Sequence, residues 1–367
     1  MRIVEVIPQL CSGGGERFTV DLCNELAKQH EVMLLVLFPL DGYGFYAGEI
    51  SDKVKVVSMN KRLGADLGLP WRVYKTIRDF NPDVVQTHLR AITYTVLAAM
   101  LLRKVKFFHT VHSDAEKEAS GRISRIVRHC MFKSGRFVPV TVSDESHRSF
   151  VDFYGMDAPM IFNGRNIPDN YRATETVKAE IDGYRHKNGG RIIINLARHS
   201  EVKRQPLIAR VCRRLEDEGY KFTMLMIGKQ YHEEFTEQIL AAGCSKIVML
   251  GERKNPLDYL AESDAYCLMS SYEGMPISLI EALGVGAVPV CTPVGGIVDV
   301  VQDGVNGYLA SELTEEASYV AMKRFLDMDD AALTAMKAAA KHAYKPFSMT
   351  ECAEKYVNLF EQKLASE

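Results

Sequence analysis

The segment from Ser270 to Val290 sets two carboxylates, Glu273 and Glu281, around the run Gly274, Met275, Pro276 and Ile277. Proline suits the first turn of a helix, so this spacing predicts a helix opening at Pro276. The free N–H groups of Gly274 to Ile277 would then face an anion or hydroxyl groups. Glu281 follows five residues beyond Pro276, about 7.5 Å along the axis at 1.5 Å per residue, so the two carboxylates can serve different parts of one extended ligand. A surface helix with one solvated glutamate would accommodate Glu281. It gives no reason for the loop from Glu273 to Pro276.

Three other segments carry open backbone or positive charge. Gly13, Gly14 and Gly15 follow the first apolar run and open a helical pattern, a place where backbone N–H groups favour phosphate. The cluster lacks both the spaced dinucleotide fingerprint and the Lys-Ser/Thr of a P-loop, so a bare turn fits it equally well. Arg198 and Lys203 follow an apolar run in the second half. A cationic pair there suits a departing diphosphate, which gains negative charge in the transition state. Gly295 and Gly296 open the stretch Thr292 to Tyr308, which fits either a tight turn or the edge of a ligand site.

The elements that position these residues follow from the patterning. Short β-branched runs at 3–7, 32–37, 54–57, 84–87, 107–111 and 137–142, then at 192–196, 222–227, 246–250, 265–269 and 288–291, alternate with helical patterns. That alternation predicts an α/β protein with parallel sheets covered on both faces. At 367 residues the chain exceeds the size at which one core stops growing. Turn-forming residues from Phe162 to Asp169 mark the expected linker between a domain at 1–168 and a second at 169–347, with a C-terminal helix at 348–367 packing back on the first.

A hydrophobic content of 47% with 25% charged residues is that of a soluble globular chain, and a net charge of −2 argues against nucleic acid as a partner. The eight cysteines lack zinc-type pairing and disulfide-scaffold density. The N-terminal run shows no export signal, and Ile92 to Leu102 reaches only about half of the roughly 20 residues that span a bilayer. A cytoplasmic location is expected.

The run from Ser271 through Glu281, followed by Gly286 to Val290 and Gly295 to Gly307, closely resembles family 4 of the retaining nucleotide-sugar glycosyltransferases. The N-terminal glycines, His112, Asn163 with Gly164, and the Arg198 and Lys203 pair fall in the family's order, so the resemblance covers nearly the whole chain. It implies a GT-B architecture, two Rossmann-like doubly wound domains facing a central cleft that holds a UDP- or GDP-linked sugar. By the same resemblance Glu281 holds the ribose, and Glu273 with the amides of Gly274, Met275, Pro276 and Ile277 holds the transferred sugar. Arg198 and Lys203 hold the diphosphate, Gly14 and Gly15 approach it, Arg253 joins the donor-binding set, and His112 lines the reaction centre. The implied activity is hexosyl transfer with retained configuration to a saccharide or lipid-linked saccharide, as in bacterial surface polysaccharide synthesis, with no cofactor and no metal. Two positions depart from the family pattern: Lys229 and Gln230 follow Gly228 where a second glycine is common, and Asn166 stands where an acidic residue is common.

Weaker constellations have plainer readings. Asp327 and Asp329 have the spacing of a metal-holding pair but sit at a helix start, where aspartate caps. His109 and His112 lack a third ligand for zinc. The stretch 121–136 carries Arg122, Arg125, Arg128, Lys133 and Arg136 among Ile123, Ile126, Val127, Met131 and Phe132. It reads first as a helix with an apolar face in the core, and second as a peripheral contact with anionic lipid at the inner membrane face. A nucleotide-sugar epimerase or a non-catalytic sugar-nucleotide binder would share much of the pattern. A retaining glycosidase needs two nearby carboxylates but no phosphate loops.

Overall fold

The computed structural model describes residues 1–367 apart from Leu63, Ser120, Tyr231, His232 and Glu367, and apart from the side chain of Ile123. The chain divides into two units, one formed by Met1–Asn166 with the residues from Phe347 onward, the other by Ile167–Pro346.

The first unit holds β1 (Arg2–Ile7), β2 (Glu31–Val36), β3 (Val54–Ser58), β4 (Val84–His88), β5 (Lys106–Val111) and β6 (Phe137–Thr141), in the order β3-β2-β1-β4-β5-β6. The second holds β7 (Arg191–Leu196), β8 (Phe222–Ile227), β9 (Ile247–Gly251), β10 (Ala265–Leu268), β11 (Val288–Cys291) and β12 (Tyr308–Leu309), in the order β12-β11-β10-β7-β8-β9. All pairings are parallel. Counted from its own first strand, the second sheet repeats the order of the first, and both are doubly wound α/β sheets. In each, the order reverses between the first and fourth strands, β1 and β4 or β7 and β10. Connections leave there to opposite faces, so the loops at the strand ends diverge and leave a crevice.

Burial on both faces explains why the strands read as apolar runs; β8 is buried at every position. β1 breaks the rule with Glu5, which is fully buried. Glu5 pairs with Gln86, and His88 with Thr110, which sets these four side chains on one face of the first sheet. The helices Gly14–Leu26 and Met349–Ala365 cover that face: the Phe18 ring lies 6.2 Å from Tyr356, and Phe360 lies 4.7 Å from Phe108. The opposite face packs Val4, Val6, Val85 and Phe107 against the helices Leu69–Phe80, Ile92–Leu101 and Arg122–Lys133.

The C-terminal helix is seated by main-chain bonds. Arg165 N donates to Phe347 O and Met349 N to Arg165 O, each at 3.0 Å. Gly164 permits the approach, since a Cβ there would come within 2.9 Å of Met349 Cα and Ser348 O. Ser348 caps the helix by accepting from Glu351 N at 3.2 Å.

Candidate functional site

In the second unit the crevice is built from three loops. After β7 the chain passes Arg198 and a 3-10 turn, Glu201–Lys203, into the helix Gln205–Asp217; after β10 it passes Ser270 and Glu273 into the helix Ile277–Val285. Ser271 N donates to Val202 O at 2.8 Å and ties the two loops together. That tie brings Lys203 Nζ to 2.5 Å from Glu273 Oε1, the same oxygen that accepts from Ser270 Oγ at 2.5 Å. An ion pair this enclosed fixes orientation more than it adds stability, because desolvating both charges offsets much of their attraction.

The loop after β11 clamps Glu273 from the other side. Thr292 Oγ1 donates to Ser270 O and Gly296 N to Gly274 O, each at 2.6 Å. Gly295 has φ +58°, and a Cβ there would overlap the Glu273 carbonyl and lie 2.8 Å from Gly274 O. Only glycine lets these backbones cross so closely. Gly228 has a similar role at the end of β8, where a Cβ would lie 2.9 Å from Arg198 N.

The helix start differs from the sequence expectation. Pro276 is the N-cap, with extended backbone, and the helix proper begins at Ile277. Leu279 and Ile280 both bond back to Pro276 O, so Ile277 and Ser278 present their amides ahead of the first intrahelical bond. Glu281 lies within this helix and is buried, as is Met275 in the loop before it. The Arg198 side chain is exposed and makes no ion pair among the described residues. Arg253 follows the edge strand β9, and its Nε lies 3.3 Å from Tyr259 Oη, which donates to Glu180 Oε2 at 2.7 Å. It does not join the Lys203–Glu273 pair.

The first unit's crevice carries a different chemistry. Gly13 is the N-cap of the helix Gly14–Leu26, and the Glu16 carboxylate folds back over it, so a carboxylate already stands at this helix start. Gly15 lies against Leu89, whose side chain would be 3.3 Å from a Cβ. Beneath, Glu5 Oε2 lies 2.7 Å from His88 Nε2, and His88 Nδ1 lies 3.0 Å from His112 Nε2. The Phe18 ring packs edge-on against both imidazoles at 6.0 and 5.6 Å. Burial pushes the Glu5 carboxyl well above its usual range, lowers His88 to about 3 and holds His112 well below the ordinary histidine value, so both rings are neutral at physiological pH.

Glu118 fixes the backbone of His112. Its Oε1 accepts from His112 N at 2.7 Å and Ser113 N at 3.0 Å, and Oε2 lies 3.5 Å from Arg128. Burial raises its carboxyl, and Arg128 and the two amides oppose that shift. Arg128 also donates to His109 Nε2 and to Leu89 O, each at 3.0 Å. His109 therefore carries its proton on Nδ1, 2.9 Å from Thr87 Oγ1.

These bonds correct the reading of the basic helix. Arg128 is buried rather than solvated, and Arg136 is half-buried and donates to Ala99 O at the end of the helix Ile92–Leu101. Ile126, expected on the core face, is 55% exposed, and the side chain of Ile123 lies outside the described residues. Asp329 caps the helix Asp330–Ala343, accepting from Ala332 N at 2.7 Å, and Asp327 accepts from Tyr220 Oη. Sequence reasoning gave no role to Ser270, at the head of the segment it singled out, and missed Glu118, His88 and Glu5. Of these three only Glu5 left a signal, a charge inside an apolar strand.

Comparison with known proteins covers both units. Residues 12–167 match the model described as Glycosyltransferase Family 4, and residues 177–343 match that of Glycosyl transferases group 1. The chain is 22% identical over 371 residues to the GalNAc-alpha-(1->4)-GalNAc-alpha-(1->3)-diNAcBac-PP-undecaprenol alpha-1,4-N-acetyl-D-galactosaminyltransferase of Campylobacter jejuni, with 98% of each chain covered. A glycosyltransferase from Rickettsia africae superposes with a TM-score of 0.83 at 20% identity, covering 100% of this chain and 99% of its own. Anabaena HepE, solved in complex with UDP and glucose, superposes with a TM-score of 0.81 at 18% identity, covering 99% and 100%.

Proposed function

The chain belongs to glycosyltransferase family 4, with the GT-B fold, and from that premise we propose that it transfers a hexosyl group from a UDP-sugar to a lipid-linked saccharide with retention of configuration. The observation that carries this reading is the Lys203–Glu273–Ser270 cluster at the reversal of strand order, beside the open helix start at Ile277. The diphosphate takes Lys203 and the exposed Arg198. Glu273 and the first-turn amides take the sugar, and Glu281 the ribose. The bond from the anomeric carbon to phosphate oxygen breaks, the acceptor oxygen bonds to that carbon on the same face, and its proton passes to the leaving phosphate oxygen. Charge growing on the diphosphate is met by the two cations, work that a metal ion does elsewhere, so transfer proceeds without one.

UDP is favoured because HepE was solved with UDP and glucose, and a lipid-linked acceptor because the Campylobacter relative is named for an undecaprenol-linked one. Exposed Ile126, set among Arg122, Arg125 and Lys133, supports a light contact with an anionic leaflet where such an acceptor resides.

Nucleotide release from UDP- and GDP-sugars, measured with undecaprenol-diphosphate-linked saccharides and in chelator, tests the reading. Acceptor-dependent UDP release, an unchanged anomeric configuration by NMR and insensitivity to chelator are expected. Epimerised donor without acceptor would replace it with the isomerase, and donor binding without turnover with a silent binder.

A further inference from the structure

The Glu5, His88 and His112 chain has two possible directions. If Glu5 is ionised, His88 Nε2–H donates to it, His112 Nε2–H donates to His88 Nδ1, and His112 Nδ1 is left as a bare acceptor. If Glu5 is protonated, every hydrogen bond reverses: Glu5 O–H donates to His88 Nε2, and His88 Nδ1–H donates to His112 Nε2. The proton of His112 then sits on Nδ1. One buried carboxyl thus decides whether the outermost ring accepts or donates.

The surroundings select the second direction. Glu5 and His88 are fully buried, and no described cation pairs with Glu5. Glu5 Oε1 has no hydrogen-bond partner among the described residues. An unpaired oxygen is tolerable on a neutral acid and costly on a buried carboxylate. Among the described residues, the side chains that face the pair from the elements packed on it are uncharged. The helix Gly14–Leu26 contributes Phe18 and Cys23, the helix Met349–Ala365 contributes Tyr356, and β4 and β5 contribute Gln86 and Thr110, which bond to each other at 2.6 Å. Burial pushes the Cys23 thiol and the Tyr356 phenol up, away from ionisation. On the far side of His112, Glu118 takes main-chain amides rather than the ring, and Arg128 is engaged with His109, Leu89 and Glu118. His112 itself is half-buried, and its ring makes no further hydrogen bond among the described residues.

We infer that Glu5 and His88 are positioning residues that hold the proton of His112 on Nδ1, so that this imidazole meets its ligand as a neutral hydrogen-bond donor and not as a base. The ligand atom is an acceptor oxygen on the bound donor. That identity rests on the function proposed above, whereas the tautomer does not.

The test is nitrogen NMR of the full chain labelled with 15N-histidine, without ligand, at pH 7.5, the His112 signals being identified by their loss in His112→Gln. The wild-type protein should show a protonated Nδ1 and a bare Nε2. Glu5→Gln, whose amide N–H donates where the carboxyl O–H does, should keep that pattern and turn over within a few-fold of wild type. Glu5→Ala, with folding verified by thermal melting, should give mixed tautomers and a roughly tenfold or greater loss of kcat with a smaller change in KM. A proton on Nε2 in the wild type, an imidazolium at this pH, or an unaltered Nδ1–H signal in Glu5→Ala would overturn the inference. A chain that transfers no sugar would sink the proposed function and leave the NMR result standing.

Discussion

The two sheets share one strand order and put opposite electrostatics at the same topological point. At the β7/β10 reversal a lysine and a glutamate meet as an ion pair in loops beyond the strand ends. At the β1/β4 reversal a glutamate and a histidine meet inside the sheet, with no charge partner among the described residues, and both are pushed toward their neutral forms. The difference comes from one step in depth. A carboxylate in a loop keeps a cation within reach, whereas a carboxyl on a strand covered by two helices has only other uncharged groups to bond. Topology places a crevice; burial decides whether it is worked by charge or by proton position.

The largest expected effect breaks the charged crevice. Glu273→Gln should lower kcat about thirtyfold to hundredfold, or roughly 2 to 3 kcal/mol, with donor affinity by calorimetry little altered, because the lost interaction is strongest in the transition state. On the proposed roles Glu281 holds the ribose, so Glu281→Gln should raise donor KM more than it lowers kcat. Normal turnover in Glu273→Gln beside an inert Glu281→Gln that still binds donor would reverse the assigned roles.

A smaller effect distinguishes loop crossing from backbone strain in that crevice. Gly295→Ala must force crossing backbones apart, while Gly304→Ala, with φ +75° and only the end of Arg324 nearby, bears left-handed strain alone. Denaturant unfolding should show about 1 kcal/mol lost at Gly304 and about 2 kcal/mol lost at Gly295, with turnover falling only in the latter. Equal losses would mean that the glycine pair does not set Glu273.

The smallest effect, counted per pH unit, probes the neutral crevice. The folded chain keeps the Glu5 proton above 4.5, where the unfolded chain releases it, so rising pH favours unfolding of the wild type. Glutamine does not titrate. Glu5→Gln should therefore gain stability relative to wild type as pH rises from about 5, by at most about 1.4 kcal/mol per pH unit. A difference that stays flat from pH 5 to 8 would mean that Glu5 ionises alike in both states.

How much of this was legible depended on whether a residue acts through its own local run. The strands of four residues or more stand within a residue of the β-branched runs that announced them, while β12, only two residues long, has no run to read. Glu273, Lys203 and Gly295 were singled out because loops after strands in such sheets carry ligands. His88 was not, since its partners lie across strands, Glu5 83 positions away and His112 24 away; nor was Glu118, whose bonds to amides five and six positions back depend on a fold of the loop that its short polar run does not announce. Arg128 is a mixed case. Met131 and Phe132, three and four residues on, share its side of the helix and point to burial, but its partners, a histidine and a carboxylate on neighbouring elements, leave no sign in the local run.

The return of the chain at Phe347 bears on how a ribosome delivers this protein. Ile167–Pro346 is unbroken in sequence, whereas the unit that begins first closes last, because Tyr356 and Phe360 fill the face presented by Phe108 and Thr110. The usual order of synthesis, in which the leading domain is finished first, is therefore inverted. Translation completes the downstream unit while the part of the upstream sheet around Phe108 and Thr110 is still uncovered. A stop codon ahead of Met349 would release a chain with its second unit whole and its first left open, a ready client for chaperones.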